Sequence, residues 1–135
     1  MKLYSILILI FILSGTYNNG QDAPGRFKKD SLAKILEQPV NDSIKARVSF
    51  LLSDEWADSD TTASKKYTML GKGFSKGNPF WEAVSLLYEG KLLAATAPDS
   101  AAGMFMLAEK RLKRFPGPAA LLFRSMCWHD YARVF

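Results

Sequence analysis

Cysteine and histidine are almost missing from this chain: its 135 residues hold one of each, Cys127 and His129. A single cysteine excludes an intrachain disulfide, so stability has to come from packing. Long hydrophobic runs are lacking too. The apolar run Ile6–Leu13 falls short of the ~20 residues that a helix needs to span a bilayer. No phosphate-loop sequence is present either. Gly71-Lys-Gly73-Phe-Ser-Lys-Gly77 has the glycines, but neither their order nor a preceding strand, and it reads as a turn between helices. Nothing in the sequence calls for a cofactor or a metal.

What is present begins with charge. The net charge is +5, concentrated at Lys28-Lys29, Lys65-Lys66 and Lys110-Arg111-Lys113-Arg114. No aromatics interleave with these residues on one face, so a solvated helix surface is expected rather than a nucleic-acid interface. Lys110 to Arg114 also close a predicted helix, where cations complement the C-terminal dipole. At the N-terminus, Lys2, the run Ile6–Leu13 and the polar Thr16-Tyr-Asn-Asn-Gly20 follow the basic, apolar and polar order of an export signal. Residues 1–20 are therefore expected to be a signal peptide, cut after Gly15 or Gly20, and the mature chain to be periplasmic or otherwise extracytoplasmic. Residues 21–29, with Pro24-Gly25, read as a linker to a single domain over 30–135.

Within that domain Ala63-x₃-Tyr67-x₂-Leu70 returns 38 residues later as Ala101-x₃-Phe105-x₂-Ala108. Each copy puts three residues on one helix face, which continues to Phe74 in the first and to Leu112 and Phe115 in the second. A small residue lets a neighbouring helix approach, and an aromatic fills the space beside it. Self-similarity at such a period points to a solenoid of stacked helix pairs.

This small-then-large order resembles the second helix of the tetratricopeptide repeat (TPR), with Leu70 in place of the family's last alanine. Phe80, Trp81, Val84, Leu87, Tyr88 and Gly90 are similar to its first helix, with Leu92 where a later aromatic would stand. The period is longer than the family's ~34 residues, which implies longer turns. Upstream, Ile44, Val48, Leu51, Leu52 and Trp56 recur at helical spacing. The run Leu52-Ser-Asp-Glu-Trp56-Ala-Asp-Ser-Asp60 and the preceding Asp30-Ser31-Leu32 resemble the extracytoplasmic TPR regions of bacterial sensor histidine kinases and related regulators. The fold implied is an all-α, TPR-like antiparallel helix-pair solenoid of about two and a half repeats.

Helix signals divide the domain into a cap and five helices. A short helix from Ser31 to Glu37 stops before Pro39. Asn41 or Asp42 caps the next, which runs to about Ala57, and Asp60 or Thr61 caps one that ends near Gly71 to Gly73. Asn78-Pro79 opens a helix reaching about Ala95, Thr96 to Asp99 opens one ending by Phe115, and the last runs from Ala119 to the end. Leu121, Leu122, Met126 and Tyr131 give that last helix an apolar face with no partner helix in the sequence. The domain is accordingly expected to be incomplete at its C-terminus, part of a longer protein, with a homodimer through the last helix as the alternative.

The sequence offers few candidates for chemistry. Cys127 and His129 are two positions apart and cannot share a helical face, so a zinc or catalytic site is not expected; Cys127 reads as buried, His129 as a surface or groove residue. Asp54, Glu55, Asp58 and Asp60 lack the order of a calcium loop and suit a helix junction. Asn41-Asp-Ser43 fits an N-glycosylation acceptor and equally a helix N-cap. Two functions remain. The first is a non-catalytic interaction scaffold holding a peptide or protein on the first helices of each pair, with Glu55, Glu82, Glu89 and Arg124 as contacts; the resemblance places it in a bacterial signalling protein. The second is a small secreted enzyme or ligand-binding domain using Cys127, His129 and Asp130.

Overall fold

The computed structural model describes residues 24–135, six helices with no strand among the described residues: α1 (Pro24–Leu36), α2 (Asp42–Trp56), α3 (Thr61–Phe74), α4 (Pro79–Leu93), α5 (Pro98–Leu112) and α6 (Pro118–Arg133). The all-α expectation holds, and none of these helices is long and apolar enough to cross a membrane. The expected signal segment, residues 1–20, lies outside the described residues.

Cap chemistry starts the helices where local sequence demands it. Asn41 Oδ1 accepts from the Ile44 N–H at 2.9 Å, Asp60 Oδ1 from Ala63 at 3.0 Å and Asn78 Oδ1 from Trp81 at 3.2 Å, each satisfying a first-turn donor that the helix itself cannot. Asn41 is thus engaged as a helix cap. Pro79, Pro98 and Pro118 open α4, α5 and α6, where a missing N–H costs nothing. Two turn glycines take positive φ, Gly77 at 80° and Gly117 at 103°, a region that side chains with a β-carbon avoid.

Two boundaries differ from expectation. α1 begins at Pro24, not Ser31, because Pro24 serves as a first helical residue rather than a breaker; residues 24–29 are helix, not linker. The segment Gly71 to Gly77 is not one turn: Gly71 and Gly73 lie inside α3, which runs to Phe74 and is closed by Ser75. The Ser75 hydroxyl donates to the Gly71 carbonyl at 2.6 Å, extending the helix past the glycines.

Successive helices pack on one another, most closely α1 on α2, α2 on α3, α4 on α5 and α5 on α6, with α3 on α4 less so, while α2 also touches α4 and α4 touches α6. Turns of a few residues make these neighbours antiparallel. α2, α4 and α6 therefore form one layer, tied by aromatic rings: Phe50 stacks on Tyr88 at 4.6 Å, and Trp81 meets Phe123 edge-on at 5.8 Å. Leu87, Phe105, Leu112 and Cys127 complete this core, and a smaller one under α1 gathers Leu32, Ile35, Val48 and Leu52.

The helix starts recur at a spacing of 37 residues, one fewer than the 38 expected from sequence. Asn41 and Asn78 start α2 and α4, and Asp60 and Ala97 precede α3 and α5, each pair 37 positions apart. The buried stripe follows the same register. Ala101, Phe105 and Ala108 are buried as expected, but their counterparts are Ser64, Thr68 and Gly71. Ala63 and Tyr67 are only half-buried and Leu70 is exposed. In the first pair the stripe is built from small residues, the hydroxyls of Ser64 and Thr68 bonding Ser53 of α2, and the more apolar letters one position earlier lie beside it.

Candidate functional site

The three helices of the inner layer bring one side chain each to a common place. Asp54 of α2, Lys91 of α4 and Asp130 of α6 form a polar cluster: Lys91 Nζ lies 2.9 Å from Asp54 Oδ1 and 3.7 Å from Asp130 Oδ2. Asp54 and Lys91 are 37 residues apart, the period of the repeat, and Asp130 follows 39 later; equivalent positions of successive units thus converge on one face. Tyr88, one turn before Lys91 on α4, donates its hydroxyl to Asp54 Oδ2 at 2.5 Å, and the Lys91 ammonium lies over its ring.

The cluster forms one wall of an open cleft of about 490 Å³, whose lining includes Asp54, Asp58, Lys91, Asp130 and Arg133 with Ala94, Ala95 and Val134 between them. These residues lie in the last turns of α2, α4 and α6 or just beyond them, where free carbonyls carry partial negative charge. Three carboxylates face two cations, and the helix ends add to the negative side. The electrostatics favour an ammonium or guanidinium group entering the cleft over a carboxylate or phosphate. Asp130 Oδ2 itself is buried and accepts no hydrogen bond, with Lys91 Nζ at 3.7 Å beside it.

Burial shapes the groups around it. Tyr88 is pushed well above the usual phenol range, first by burial, then by the charge of Asp54 and the hydrogen bond to it; it remains a neutral donor. Arg47, on α2, is lowered by burial, and its Nε is another buried group without a hydrogen bond.

The residues expected from sequence to contact a partner are placed elsewhere. Glu55 is ion-paired to Lys28 at 2.9 Å, Glu89 to Lys72, and Arg124 reaches Glu109 Oε1 through Nε and Nη2, both at 3.2 Å. Each turns to the element before its own helix, so these three are engaged rather than free. Glu82 is exposed and accepts from the Gly77 N–H at 3.1 Å, fixing the turn that precedes α4. None of the four lines the cleft.

Cys127, His129 and Asp130 are likewise not assembled. Cys127 is 1% exposed, while His129 is exposed to solvent, and Asp130 faces Lys91. Burial, then the charges of Glu109 and Asp130, push the Cys127 thiol up to about 12, which keeps it protonated and shielded. Among the described residues no group of three or more His, Cys, Asp or Glu could hold a metal ion. Of the acidic run, Asp60 is the cap of α3, whereas Asp54 and Asp58 face the cleft.

Sequence reading missed Lys91 and took Asp54 as junction solvation. The signal that finds them is the 37-residue register: laid over one another, Asp54 and Lys91 coincide. No family model matches this chain, and no curated protein or solved structure matches it.

Proposed function

We propose that the chain is a non-catalytic interaction module, a tetratricopeptide-like array whose inner layer of α2, α4 and α6 holds an extended, positively charged peptide. The observation that carries this reading is the convergence of Asp54, Lys91 and Asp130 from three alternate helices on one cleft. A repeat array presents a continuous binding surface in this way, each unit contributing an equivalent position. Such a surface needs no reacting group. The setting that the resemblance implies belongs to the same proposal: an exported chain forming the sensory, extracytoplasmic part of a bacterial histidine-kinase-like signalling protein, with a protein or peptide as partner.

The contacts assigned to the ligand are the rim charges Asp58 and Arg133, both exposed and both lining the cleft. The test is fluorescence anisotropy with labelled decapeptides rich in Lys and Arg, against the same sequences carrying Glu. Saturable binding of the basic set is expected, weakened by Asp58→Lys and strengthened by Arg133→Glu, each ~2–5-fold, the worth of a partly exposed ion pair. Equal binding of both sets, or affinities indifferent to both substitutions, overturns the assignment.

A further inference from the structure

Along α6, Leu121, Ser125, Trp128 and Ala132 recur at spacings of four, three and four, and Phe135 follows three later. That is the alternation of a two-helix seam. Leu121, Trp128 and Phe135 are 60%, 54% and 78% exposed, with Leu122 beside them at 54%. None of these residues carries a charge, in a chain whose net charge is +5.

We infer that this face docks a second copy of the chain, α6 against α6 in antiparallel orientation, with Trp128 of each copy over Ser125 of the other. The pattern is self-complementary in that register. Setting Trp128 opposite Ser125 also sets Leu121 opposite Ala132, twice over, so at these four seam positions each large side chain meets a small one. Arg124 and Arg133 then fall opposite His129 and Ala120 rather than each other. A parallel, in-register pair places Trp128 on Trp128, Ser125 on Ser125 and Arg124 beside Arg124.

The area is adequate. At ~150–250 Å² for a whole aromatic side chain, the exposed parts of Leu121, Leu122, Trp128 and Phe135 amount to about 500 Å² per copy, so about 1,000 Å² for two when fully covered, the size of a weak, transient interface. Met106 of α5, 53% exposed, borders Trp128 across a notch of about 40 Å³ and extends the patch. The inference does not rest on the peptide groove, whose α6 residues are Asp130, Arg133 and Val134; of these Arg133 directly follows Ala132 of the seam.

Sedimentation of the full chain between about 1 and 100 μM tests it. A monomer–dimer equilibrium with a micromolar midpoint is expected, as befits an interface of ~1,000 Å². Leu121→Glu and Trp128→Glu should each give monomers at 100 μM with unchanged circular dichroism, since both side chains are more than half exposed. For orientation, the double variant Leu121→Cys/Ala132→Cys should oxidise to a cross-linked dimer and neither single variant should. A wild-type monomer throughout the range, assembly that survives both charge substitutions, or cross-linking of a single variant overturns the inference.

Discussion

Gly90 and the Phe105 ring are in close contact: a β-carbon on Gly90 would lie 2.6 Å from Cε1 of the ring and 3.3 Å from the Ala101 carbonyl oxygen. Phe105 is 1% exposed and cannot swing aside into solvent. Gly90→Ala gains up to ~1 kcal/mol of helix propensity and loses ~1–3 kcal/mol to overpacking, so a net loss of ~1 kcal/mol is expected in denaturant titration. Phe105→Leu in the same chain should recover part of it. Gly103, in the middle of α5 with nothing within 4 Å of an added β-carbon, is the control: Gly103→Ala should stabilise by ~0.5–1 kcal/mol.

The same place in the first helix pair is closed by different chemistry. Ser53 and Thr68, 37 residues before Gly90 and Phe105, are joined hydroxyl to hydroxyl at 2.7 Å, and Ser64 adds a bond to the Ser53 carbonyl at 2.8 Å. Thr68→Val keeps the shape and removes the partner, which should cost ~1–2 kcal/mol. Ser53→Ala together with Thr68→Val should cost less than the sum, because no orphaned hydroxyl is then left between the two positions. Thermal melts of the three variants measure the coupling.

This substitution of hydroxyls for a Gly–aromatic contact also explains what sequence could and could not reveal. The caps Asn41, Asp60 and Asn78 were legible because capping is local: a side chain bonds an N–H three residues away. The buried stripe of α3 was not, since Ser64, Thr68 and Gly71 are polar or small letters that gain their burial from partners on α2, while Ala63, Tyr67 and Leu70 one position earlier imitate an apolar face. That slip of one residue turned a 37-residue period into 38. The Asp54, Lys91 and Asp130 cluster was illegible for a related reason, since each charge alone is what a solvated helix carries, and only the correct register brings them together.

Alkaline conditions should destabilise the fold through Cys127 and Tyr88. Both are neutral when protonated, and both are raised in the folded chain: the thiol from 9.0 to about 12, the phenol well above 10.0. The unfolded state therefore ionises first. Their contribution is complete below the unfolded values and is lost as pH climbs from about 9 toward the folded ones. The unfolding midpoint should fall steadily across that window, and Cys127→Ala should make the fall shallower at its lower end. By the same cause, Cys127 of the native protein should alkylate more than tenfold slower at pH 8 than the same thiol in denaturant, given that only the thiolate reacts.

Lys91 is the member of the polar cluster whose loss is most informative, because it separates two carboxylates brought in from different helices. Without its ammonium, Asp54 keeps the Tyr88 hydroxyl as a donor, but Asp130 keeps only a buried oxygen with no hydrogen bond. Breaking a fully buried pair costs ~3–5 kcal/mol. Here about a third of the Asp54 side chain and a quarter of Lys91 remain in water, so Lys91→Met should cost less, ~1–3 kcal/mol. Most of that loss arises from Asp130, and Lys91→Met/Asp130→Asn should therefore be more stable than Lys91→Met alone. If the double variant proves less stable in urea, Asp130 is held by something other than Lys91, and the cluster is not the tie between α4 and α6.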